Sequence, residues 1–326
     1  MTANAFVTGA GGFIASHLVE ALLTRGCNVT ALIHYNARGT WGWLEKHHHL
    51  TPPNLNVILG DITDPFWTLD VLKNCDVVFH LAALIAVPYS YHAPASYIRT
   101  NVDGTLNVAQ AALKNGIKRF VHTSTSEVYG TAQYTPLNEE HPLHAQSPYA
   151  ASKIAADKVI ESFVCSYDLP TVIVRPFNTY GPRQSARAVI PNIIMQALSG
   201  NHVKLGALNP VRDFTFITDT VDGFIKAGEA DGTIGETINL GSGEAVSVGD
   251  LAQMIFEILK VSPAIVRDIQ RVRPKASEVM ELISCNAKAA KLLHWKPTIS
   301  LREGLIQTIQ WMRENRDLLR PAEYAL

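Results

Sequence analysis

Short apolar runs alternate with longer amphipathic segments over the first half of the chain. Residues 16–24 and 104–114 space their apolar side chains at helical intervals, which predicts helices. The apolar runs are rich in β-branched residues and almost uninterrupted, as in strands that are buried on both faces. They comprise residues 5–7, 29–33, 57–59, 77–79, 120–122 and 171–174. Alternation of strand and helix predicts an α/β fold with a doubly wound parallel sheet of the Rossmann type.

The pattern changes after Arg175, where proline and glycine become frequent and the regular alternation is lost. Two later segments, residues 214–218 and 237–240, read as returns to the main sheet. We therefore expect two interleaved domains. These are a dinucleotide-binding domain formed by residues 1–176 and 213–242, and a smaller substrate domain formed by residues 177–212 and 243–326.

Composition narrows the class of protein. Of 326 residues, 47% are hydrophobic and 17% are charged, which fits a globular fold and argues against disorder. With 28 Lys and Arg against 29 Asp and Glu, the net charge of −1 gives no general attraction to nucleic acid or anionic membranes. The most apolar stretch, residues 77–87, is far shorter than the ~20 residues of a membrane span. We expect neither nucleic acid nor a membrane as a partner.

The N-terminus and the cysteines indicate the compartment. Met1 leads directly into a strand-like segment, without the basic region or cleavage site of a secretory signal. The four cysteines form no Cys-x-x-Cys pair, which favours free thiols in a reducing compartment. We therefore expect a cytoplasmic protein. The three histidines at residues 47–49 have no neighbouring Cys or acidic cluster, so we expect no metal site.

A glycine-rich turn joins the first strand to the first helix. Its spacing is Gly9-x-x-Gly12-x-x-Ala15, followed within the helix start by Phe13 and Ile14. Glycine lets the backbone approach a pyrophosphate, and the helix N-terminus supplies free N–H groups and partial positive charge. The turn therefore predicts a dinucleotide site, although an ordinary glycine turn has the same spacing.

The end of the second strand bears on the choice between NAD and NADP. An acidic residue there binds the ribose of NAD, whereas an arginine pairs with the 2′-phosphate of NADP. This chain has Asn36 and Arg38 instead of an acid, so both cofactors stay open. Asp61, followed by Ile62 after the third strand, is a candidate for the adenine amino group, or alternatively a turn residue.

Tyr149 and Lys153 form a Tyr-x-x-x-Lys pair on one face of a predicted helix. They follow a polar segment, residues 123–130, at the carboxyl end of a buried strand, where ligands bind in open α/β sheets. A tyrosine that acts as a base must lose about three pKa units, roughly 4 kcal/mol. One cation at ~4 Å supplies about that much at an effective dielectric near 20. We therefore expect Lys153 to lower the pKa of Tyr149, helped by an oxidised nicotinamide ring.

Several motifs occur in order along the chain, and together they resemble the extended short-chain dehydrogenase/reductase superfamily, in particular its nucleotide-sugar epimerases and dehydratases. Within that group, residues 34–44, 86–91 and 182–191 most resemble bacterial nucleotide-diphospho-N-acetylglucosamine 4,6-dehydratases of legionaminic acid biosynthesis. The ordered motifs are Gly9-x-x-Gly12-x-x-Ala15, His80-Leu81-Ala82-Ala83, residues 124–130, Tyr149-x-x-x-Lys153 and residues 175–183.

The resemblance implies a role for each catalytic residue. Tyr149 would take the proton of the sugar C4 hydroxyl while its hydride passes to the nicotinamide, and Thr125 would hydrogen-bond that hydroxyl. The C4 ketone acidifies the C5 proton, which Glu127 would remove before water leaves from C6. Many dTDP-glucose dehydratases have Asp at the position of Ser126, and serine is a much weaker acid. Glu127 would then serve as both base and acid, or a water would assist.

The resemblance also implies further binding residues and a homodimer built as a four-helix bundle from residues 104–114 and 152–166. Arginine suits a pyrophosphate because its planar fork matches phosphate geometry. The implied cofactor-binding residues are Ile62, Leu81, Ala82, Ala83, Thr123, Tyr149, Lys153 and Pro176. The implied residues for the nucleotide-diphosphate sugar are Tyr89, Asn178, Arg187, Arg212 and Arg273.

Other functions stay open on the same sequence. A sugar 4-epimerase, a UDP-glucuronate decarboxylase and a 5,6-dehydratase share these motifs, and Thr-Ser-Glu occurs in the decarboxylases. Simple epimerisation needs no base at C5, so Glu127 argues against it. A non-catalytic dinucleotide sensor is disfavoured because Thr125, Tyr149 and Lys153 are all present.

Overall fold

A computed structural model describes residues 3–47 and 51–318 of the chain. Its strands are β1 Asn4–Thr8, β2 Asn28–His34, β3 Leu55–Gly60, β4 Val77–His80, β5 Arg119–Thr123, β6 Thr171–Pro176, β7 Asn178–Tyr180, β8 His202–Leu205, β9 Val211–Phe216, β10 Thr237–Leu240, β11 Ala245–Ser247, β12 Ala264–Arg267 and β13 Glu281–Leu282. Its helices are α1 Phe13–Thr24, α2 Pro65–Val71, α3 Val87–His92, α4 Pro94–Tyr97, α5 Gly104–Lys114, α6 Pro148–Tyr167, α7 Val189–Ser199, α8 Ile217–Glu229, α9 Val248–Leu259, α10 Ala287–Leu293 and α11 Leu301–Glu314.

Within those described ranges, seven strands form one parallel sheet in the order β10-β6-β5-β4-β1-β2-β3. The order reverses between β1 and β4, where Thr8 lies beside His80. In open parallel sheets such a switch point leaves a crevice at the carboxyl ends of the strands, where ligands bind. The predicted α/β fold is confirmed, and each strand predicted over residues 5–174 lies in this sheet.

Helices cover both faces of the main sheet. On one face, α1 packs beside α8, and Leu18, Val19 and Phe224 are fully buried with the sheet residue Val7. On the other face, α2, α5 and α6 bury Ala109 together with other apolar side chains of the same cluster. This double cover explains why the strands are apolar on both sides. Over the described ranges, no helix combines the length and apolar character that crossing a membrane requires.

The prediction that residues 214–218 return to the main sheet is wrong. β9 lies in a second sheet, where it pairs with β7, β11 and β13, and Ile217 already begins α8. Phe214 and Phe216 pack edge-on against Tyr180 of β7. An apolar run favours burial but does not specify its partner strand. By contrast, β10 does return to the main sheet, as predicted, and pairs with β6.

Candidate active site

The glycine turn lies at the β1/β4 switch point and closely approaches the chain after β4. Gly9 has a φ of +70°, and a Cβ there would lie 2.9 Å from the Ala82 Cα. The Thr8 hydroxyl accepts hydrogen bonds from the N–H groups of Leu81 and Ala82, at 3.0 and 2.9 Å. These contacts bring together both predicted motifs of the cofactor site.

The beginning of α1 is open to an anion. Gly12 precedes the helix and has no side chain to cap it, so the N–H groups of the first turn, beginning with Phe13 and Ile14, point out of the helix end. A Cβ at Gly12 would lie 3.1 Å from the Gly9 carbonyl oxygen. Glycine at both positions thus leaves room for a dinucleotide pyrophosphate, and the residues present fit that group.

Gly9→Ala should destabilise the fold more than Gly116→Ala. Both glycines have positive φ, but a Cβ at Gly116 meets nothing within 4 Å. The shared left-handed conformation costs about 1–2 kcal/mol in each variant. Overpacking against Ala82 should lower the free energy of unfolding of Gly9→Ala by about 1–3 kcal/mol more. Urea denaturation of the two variants measures the difference, and equal losses would show that the approach to Ala82 is not restrictive.

The residues expected near the adenosine ribose lie at the ends of β2 and β3. Asn36 is engaged in its own turn: its Nδ2 donates to the carbonyls of His34 and Thr40, and its Oδ1 accepts from the Thr40 N–H at 3.0 Å. Arg38 is exposed on the same turn. Asp61 Oδ2 lies 3.6 Å from His34 Nε2. The carboxylate at this edge therefore comes from the third strand rather than the second.

Asp61 also serves as a turn residue, because its Oδ1 accepts the Thr63 N–H at 2.9 Å. The next residue, Ile62, is buried. A Cβ at Gly104, at the start of α5, would lie 2.6 Å from the Ile62 Cδ1. The carbonyl of Ile62 accepts from Asn107 at 3.0 Å. Both interpretations of Asp61 in the sequence are therefore compatible with its position.

Tyr149 and Thr125 meet at the carboxyl end of β5. Thr125 caps a 3₁₀ turn, Ser126–Tyr129, by accepting the Glu127 N–H at 3.2 Å. Tyr149 is buried in the first turn of α6 and hydrogen-bonds the Thr125 side chain. A hydroxyl pair at a strand end is a suitable binding place for a sugar hydroxyl.

The structure buries the Tyr149 phenol and, one turn further along α6, the ammonium group of Lys153. The Lys153 Nζ donates to the Thr123 carbonyl at 2.6 Å, and burial lowers the pKa of Lys153 to about 8, against the charge of Asp157. Burial raises the pKa of Tyr149, the Thr125 hydrogen bond opposes this, and the charge of Glu127 raises it further. A cation at ~4 Å is sufficient only where desolvation does not outweigh it.

Glu127 lies beside the arginines predicted for the substrate. Its Oε2 is 3.7 Å from Arg273 Nη1, and its side chain is 13% exposed. The neighbouring Ser126 is buried. Of the two candidates for proton transfer at C5 and C6, the carboxylate thus remains accessible, and the hydroxyl does not.

Arg212 and Arg273 come together from distant parts of the chain. Arg212 Nη2 lies 3.6 Å from Glu278 Oε1, and its Nη1 donates to the Val211 carbonyl at 3.0 Å. Burial lowers the pKa of Arg212, the charge of Glu127 raises it and that of Arg273 lowers it. Two guanidinium groups that are close enough to repel each other are suited to bind a dianion such as a pyrophosphate.

Asn178 stands next to this arginine pair in the second sheet, where β7 places it opposite Phe214 of β9. Its Nδ2 donates to the Asp213 carbonyl at 3.2 Å, and it is half-buried. The remaining predicted cofactor residues lie at neighbouring strand ends. Thr123 and Pro176 are the last residues of β5 and β6, and Ala83 follows β4.

Tyr97 is a site residue that the sequence analysis missed. Its ring lies 6.2 Å from that of Tyr149 and 6.2 Å from that of the predicted substrate residue Tyr89. Burial and the neighbouring Tyr89 raise the pKa of Tyr97, and the charge of the predicted substrate residue Arg187 lowers it. Tyr97 belongs to no motif, and only its packing in the structure identifies it.

Asn101 is a second residue without a sequence signal. It lies in a π-helical turn, Ile98–Asp103, and its amide group donates to the Leu84 carbonyl and the Ser152 hydroxyl, both at 2.9 Å. Its Oδ1 accepts the Leu84 N–H at 2.8 Å. Asn101 therefore ties the chain after β4 to the helix that carries Tyr149. π-Turns are often found at functional sites.

His47, the first of the three histidines at residues 47–49, pairs with a carboxylate of α1. His47 Nε2 is 3.4 Å from Glu20 Oε1, a carboxylate that also binds Arg183 and Lys46. His48 and His49 lie outside the described residues. Among the residues that are described, no group of three His, Cys, Asp or Glu side chains is arranged to hold a metal ion.

Comparison with known proteins agrees with this geometry. The family model described as GDP-mannose 4,6 dehydratase matches residues 6–308. The chain belongs to this family. The family includes nucleotide-sugar dehydratases, decarboxylases and epimerases of the extended short-chain dehydrogenase/reductase superfamily, so the resemblance found in the sequence is confirmed.

Individual relatives in this family are named for different reactions. A UDP-N-acetyl-alpha-D-glucosaminuronate decarboxylase from Bacillus cytotoxicus is 34% identical, over 96% of this chain and 99% of its own. A UDP-glucose 4-epimerase from Mycolicibacterium smegmatis is 33% identical, over 94% and 97%. The crystal structure of a dTDP-glucose 4,6-dehydratase from Streptomyces venezuelae, with NAD bound, has a TM-score of 0.89 at 30% identity over 97% of this chain and 99% of its own. Overall similarity thus establishes the family but not the reaction.

Proposed function

We propose that this protein is a nucleotide-sugar 4,6-dehydratase that converts UDP- or GDP-N-acetylglucosamine into a 4-keto-6-deoxy sugar. The observation that carries the proposal is the accessible Glu127 carboxylate beside Arg273, in the same 3₁₀ turn that Thr125 caps. Of the protein's own groups, oxidation at C4 by the bound cofactor needs only the Tyr149 and Thr125 hydroxyls. A carboxylate in addition is the group that removal of a C5 proton requires.

The cofactor we propose is NAD, as in the Streptomyces venezuelae structure, with NADP as the alternative that Arg38 leaves open. The glycine turn and the free N-terminus of α1 would hold its pyrophosphate. When bound, this cofactor would supply the hydride acceptor for C4 and the hydride donor for C6, and would therefore be recycled in each turnover.

The protein's own groups then handle the protons. Tyr149 takes the C4 hydroxyl proton while Thr125 orients that hydroxyl. Glu127 removes the C5 proton, which the C4 ketone has acidified, and gives this proton to the C6 hydroxyl, which leaves as water. Because Ser126 is buried and a weak acid, one carboxylate serves both steps. C5 finally takes a proton from solvent, and Tyr149 releases the one it accepted.

Arg212 and Arg273 would bind the pyrophosphate of the sugar nucleotide. A dianion would neutralise the repulsion between the two guanidinium groups. It would also compete with Glu127 for Arg273, whose Nη1 lies 3.7 Å from the carboxylate. Substrate binding would thus release Glu127 for its role as base.

A decarboxylase is the second candidate. The relative from Bacillus cytotoxicus acts on a sugar acid, and Thr125-Ser126-Glu127 is compatible with such an enzyme. In that reaction C4 oxidation causes loss of the C5 carboxylate as carbon dioxide. No base at C5 is then required, and the carboxylate of Glu127 would repel that of the substrate.

The deciding experiment incubates the purified protein with UDP- and GDP-N-acetylglucosamine in deuterated water, followed by mass spectrometry and NMR. Loss of one water, a C6 methyl group and deuterium at C5 are expected with one of the two nucleotides. An unchanged mass with inversion at C4 would identify an epimerase instead. If neither sugar reacts and UDP-N-acetylglucosaminuronate loses carbon dioxide, the decarboxylase candidate replaces the proposal.

A further inference from the structure

A buried carboxylate, Asp157, lies one helical turn after Lys153 on α6 and has no part in the chemistry above. Ser124 Oγ donates to its Oδ2 at 2.7 Å, and Arg175 Nη2 lies 3.0 Å from the same oxygen. His122 Nε2 is 3.2 Å from its Oδ1. We call Asp157, His122, Ser124 and Arg175 the Asp157 cluster. Each member is at most 3% exposed.

The Asp157 cluster holds residues 124–129, the segment that carries Thr125 and Glu127, at both ends. Ser124 directly precedes Thr125, so its hydrogen bond to Asp157 fixes the start of the segment. At the other end, Arg175 Nη1 donates to the Tyr129 hydroxyl at 3.1 Å, and its guanidinium lies 5.1 Å from the ring centroid. Thr125 and Glu127 both lie between these two attachments.

The histidines in and beside the cluster are neutral, whereas the other ionisable members are charged. Burial lowers the pKa of His122 to about 4, despite the nearby carboxylate of Asp157, so this ring is neutral at pH 7. Burial also holds the pKa of His80, which stacks on His122 at 5.8 Å, well below its ordinary value. The Asp157 carboxylate therefore faces two cations, Arg175 and Lys153. Further titratable groups on α6 and the elements packed against it include Tyr97, Glu127, Tyr129 and Tyr149.

We propose that Asp157 is a positioning residue of the active site, which keeps the Lys153 ammonium group charged and anchors the segment of Thr125 and Glu127 through Ser124 and Arg175. The inference rests on the proposed function for what Lys153 does in catalysis. The first test of this inference needs no substrate, so the inference can fail or succeed independently of the proposed function.

The pKa of Lys153 depends on the sign of the charges around its ammonium group. Burial lowers the pKa of Lys153, and the carboxylate of Asp157 is the neighbour that raises it. Asp157→Asn keeps an acceptor for Ser124 but removes the negative charge, and it leaves the buried cation of Arg175 uncompensated. Loss of an opposite charge and an uncompensated like charge both lower the pKa of the ammonium group, by about one to three pH units.

The test is the titration of Lys153 by NMR in protein labelled with ¹³C at the lysine ε-carbon. The Lys153 signal is assigned by its absence in Lys153→Arg. We expect a midpoint near pH 8 in the wild type, and one lower by about one to three pH units in Asp157→Asn. Asp157→Glu retains the negative charge, so its Lys153 midpoint should lie close to the wild-type value. An unchanged midpoint in folded Asp157→Asn would overturn the proposal.

Glu161→Gln is the matched control. It removes a carboxylate from the same helix, but Glu161 is partly exposed, pairs with Lys158 and lies eight residues beyond Lys153, about 12 Å along the axis. It should leave the Lys153 midpoint where it is. A shift equal to that of Asp157→Asn would mean that the effect is not specific to Asp157, which would contradict the proposal.

A measurement on the wild type covers the case in which Asp157→Asn does not fold. The Asp157 carboxyl ¹³C signal, assigned by Asp157→Glu, should show an inflection at the pH where Lys153 titrates. A flat signal through that range would overturn the coupling. On whichever nucleotide sugar is turned over, folded Asp157→Asn should also move the alkaline limb of kcat to lower pH with little change in KM, whereas a purely structural defect would lower kcat equally at every pH.

Discussion

Tyr149→Phe should lower turnover by about 10²- to 10⁴-fold without unfolding the protein. The phenol is the group placed to accept the C4 hydroxyl proton, and phenylalanine fills the same buried volume beside Tyr97. The Thr125 side chain, whose hydrogen bond lowers the pKa of Tyr149, still caps the 3₁₀ turn in the variant. Stopped-flow measurement of reduced nicotinamide and NMR assay of the product both report the loss.

Tyr180→Phe is the matched control for Tyr149→Phe. Tyr180 is also a buried tyrosine, and its hydroxyl donates to the Leu301 carbonyl at 3.1 Å, in the second sheet. Loss of that bond should cost about 1 kcal/mol of stability and leave kcat near the wild-type value. If Tyr149→Phe retained a tenth or more of wild-type turnover, the base would have to be sought elsewhere.

Local signals in the sequence were sufficient for much of the fold. The apolar runs and the glycine turn depend on a few adjacent residues, and the strands β1 to β6 fall where those runs predict them. The pairing of β9 depends on contacts with β11 and β13, far along the chain, which no local pattern contains. This is why the local pattern of residues 214–218 predicts the wrong sheet.

The candidate site divides in the same way. Tyr149 and Lys153 follow from a spacing of four residues, but the pKa of Tyr149 depends on how completely the fold buries it. Asp157 lies only four residues further on, in a helix of ordinary composition. Its importance comes from His122, Ser124 and Arg175, which two other strand regions bring to it. Three-dimensional packing alone shows that cluster.

Glu127→Gln should separate the first chemical step from the second. Oxidation at C4 depends on Tyr149 and Thr125 and should persist, so reduced nicotinamide should still form on adding the sugar nucleotide. Removal of the C5 proton should slow by about 10²- to 10⁴-fold, because the amide is not a base. Deuterium incorporation at C5 and release of water should therefore fall together, and the 4-keto intermediate should accumulate.

The same variant should change the pH dependence of the first step. The charge of Glu127 raises the pKa of Tyr149, so its removal lowers that pKa. Because the phenolate is the active form of the base, single-turnover C4 oxidation in Glu127→Gln should reach half its maximum at a lower pH than in the wild type. A shift to higher pH would mean that Glu127 assists ionisation of Tyr149, contrary to the charges in the site.

Glu278→Gln controls for the effect of freeing the arginines. Glu278 pairs with Arg212 at 3.6 Å, as Glu127 pairs with Arg273 at 3.7 Å, so each variant removes one carboxylate from the arginine pair. Changes in substrate affinity are expected in both. Only Glu127→Gln should lower the ratio of C5 deuterium exchange to C4 oxidation. If both variants lower that ratio alike, the arginines rather than the carboxylate control the second step, and the role of Glu127 as the C5 base is wrong.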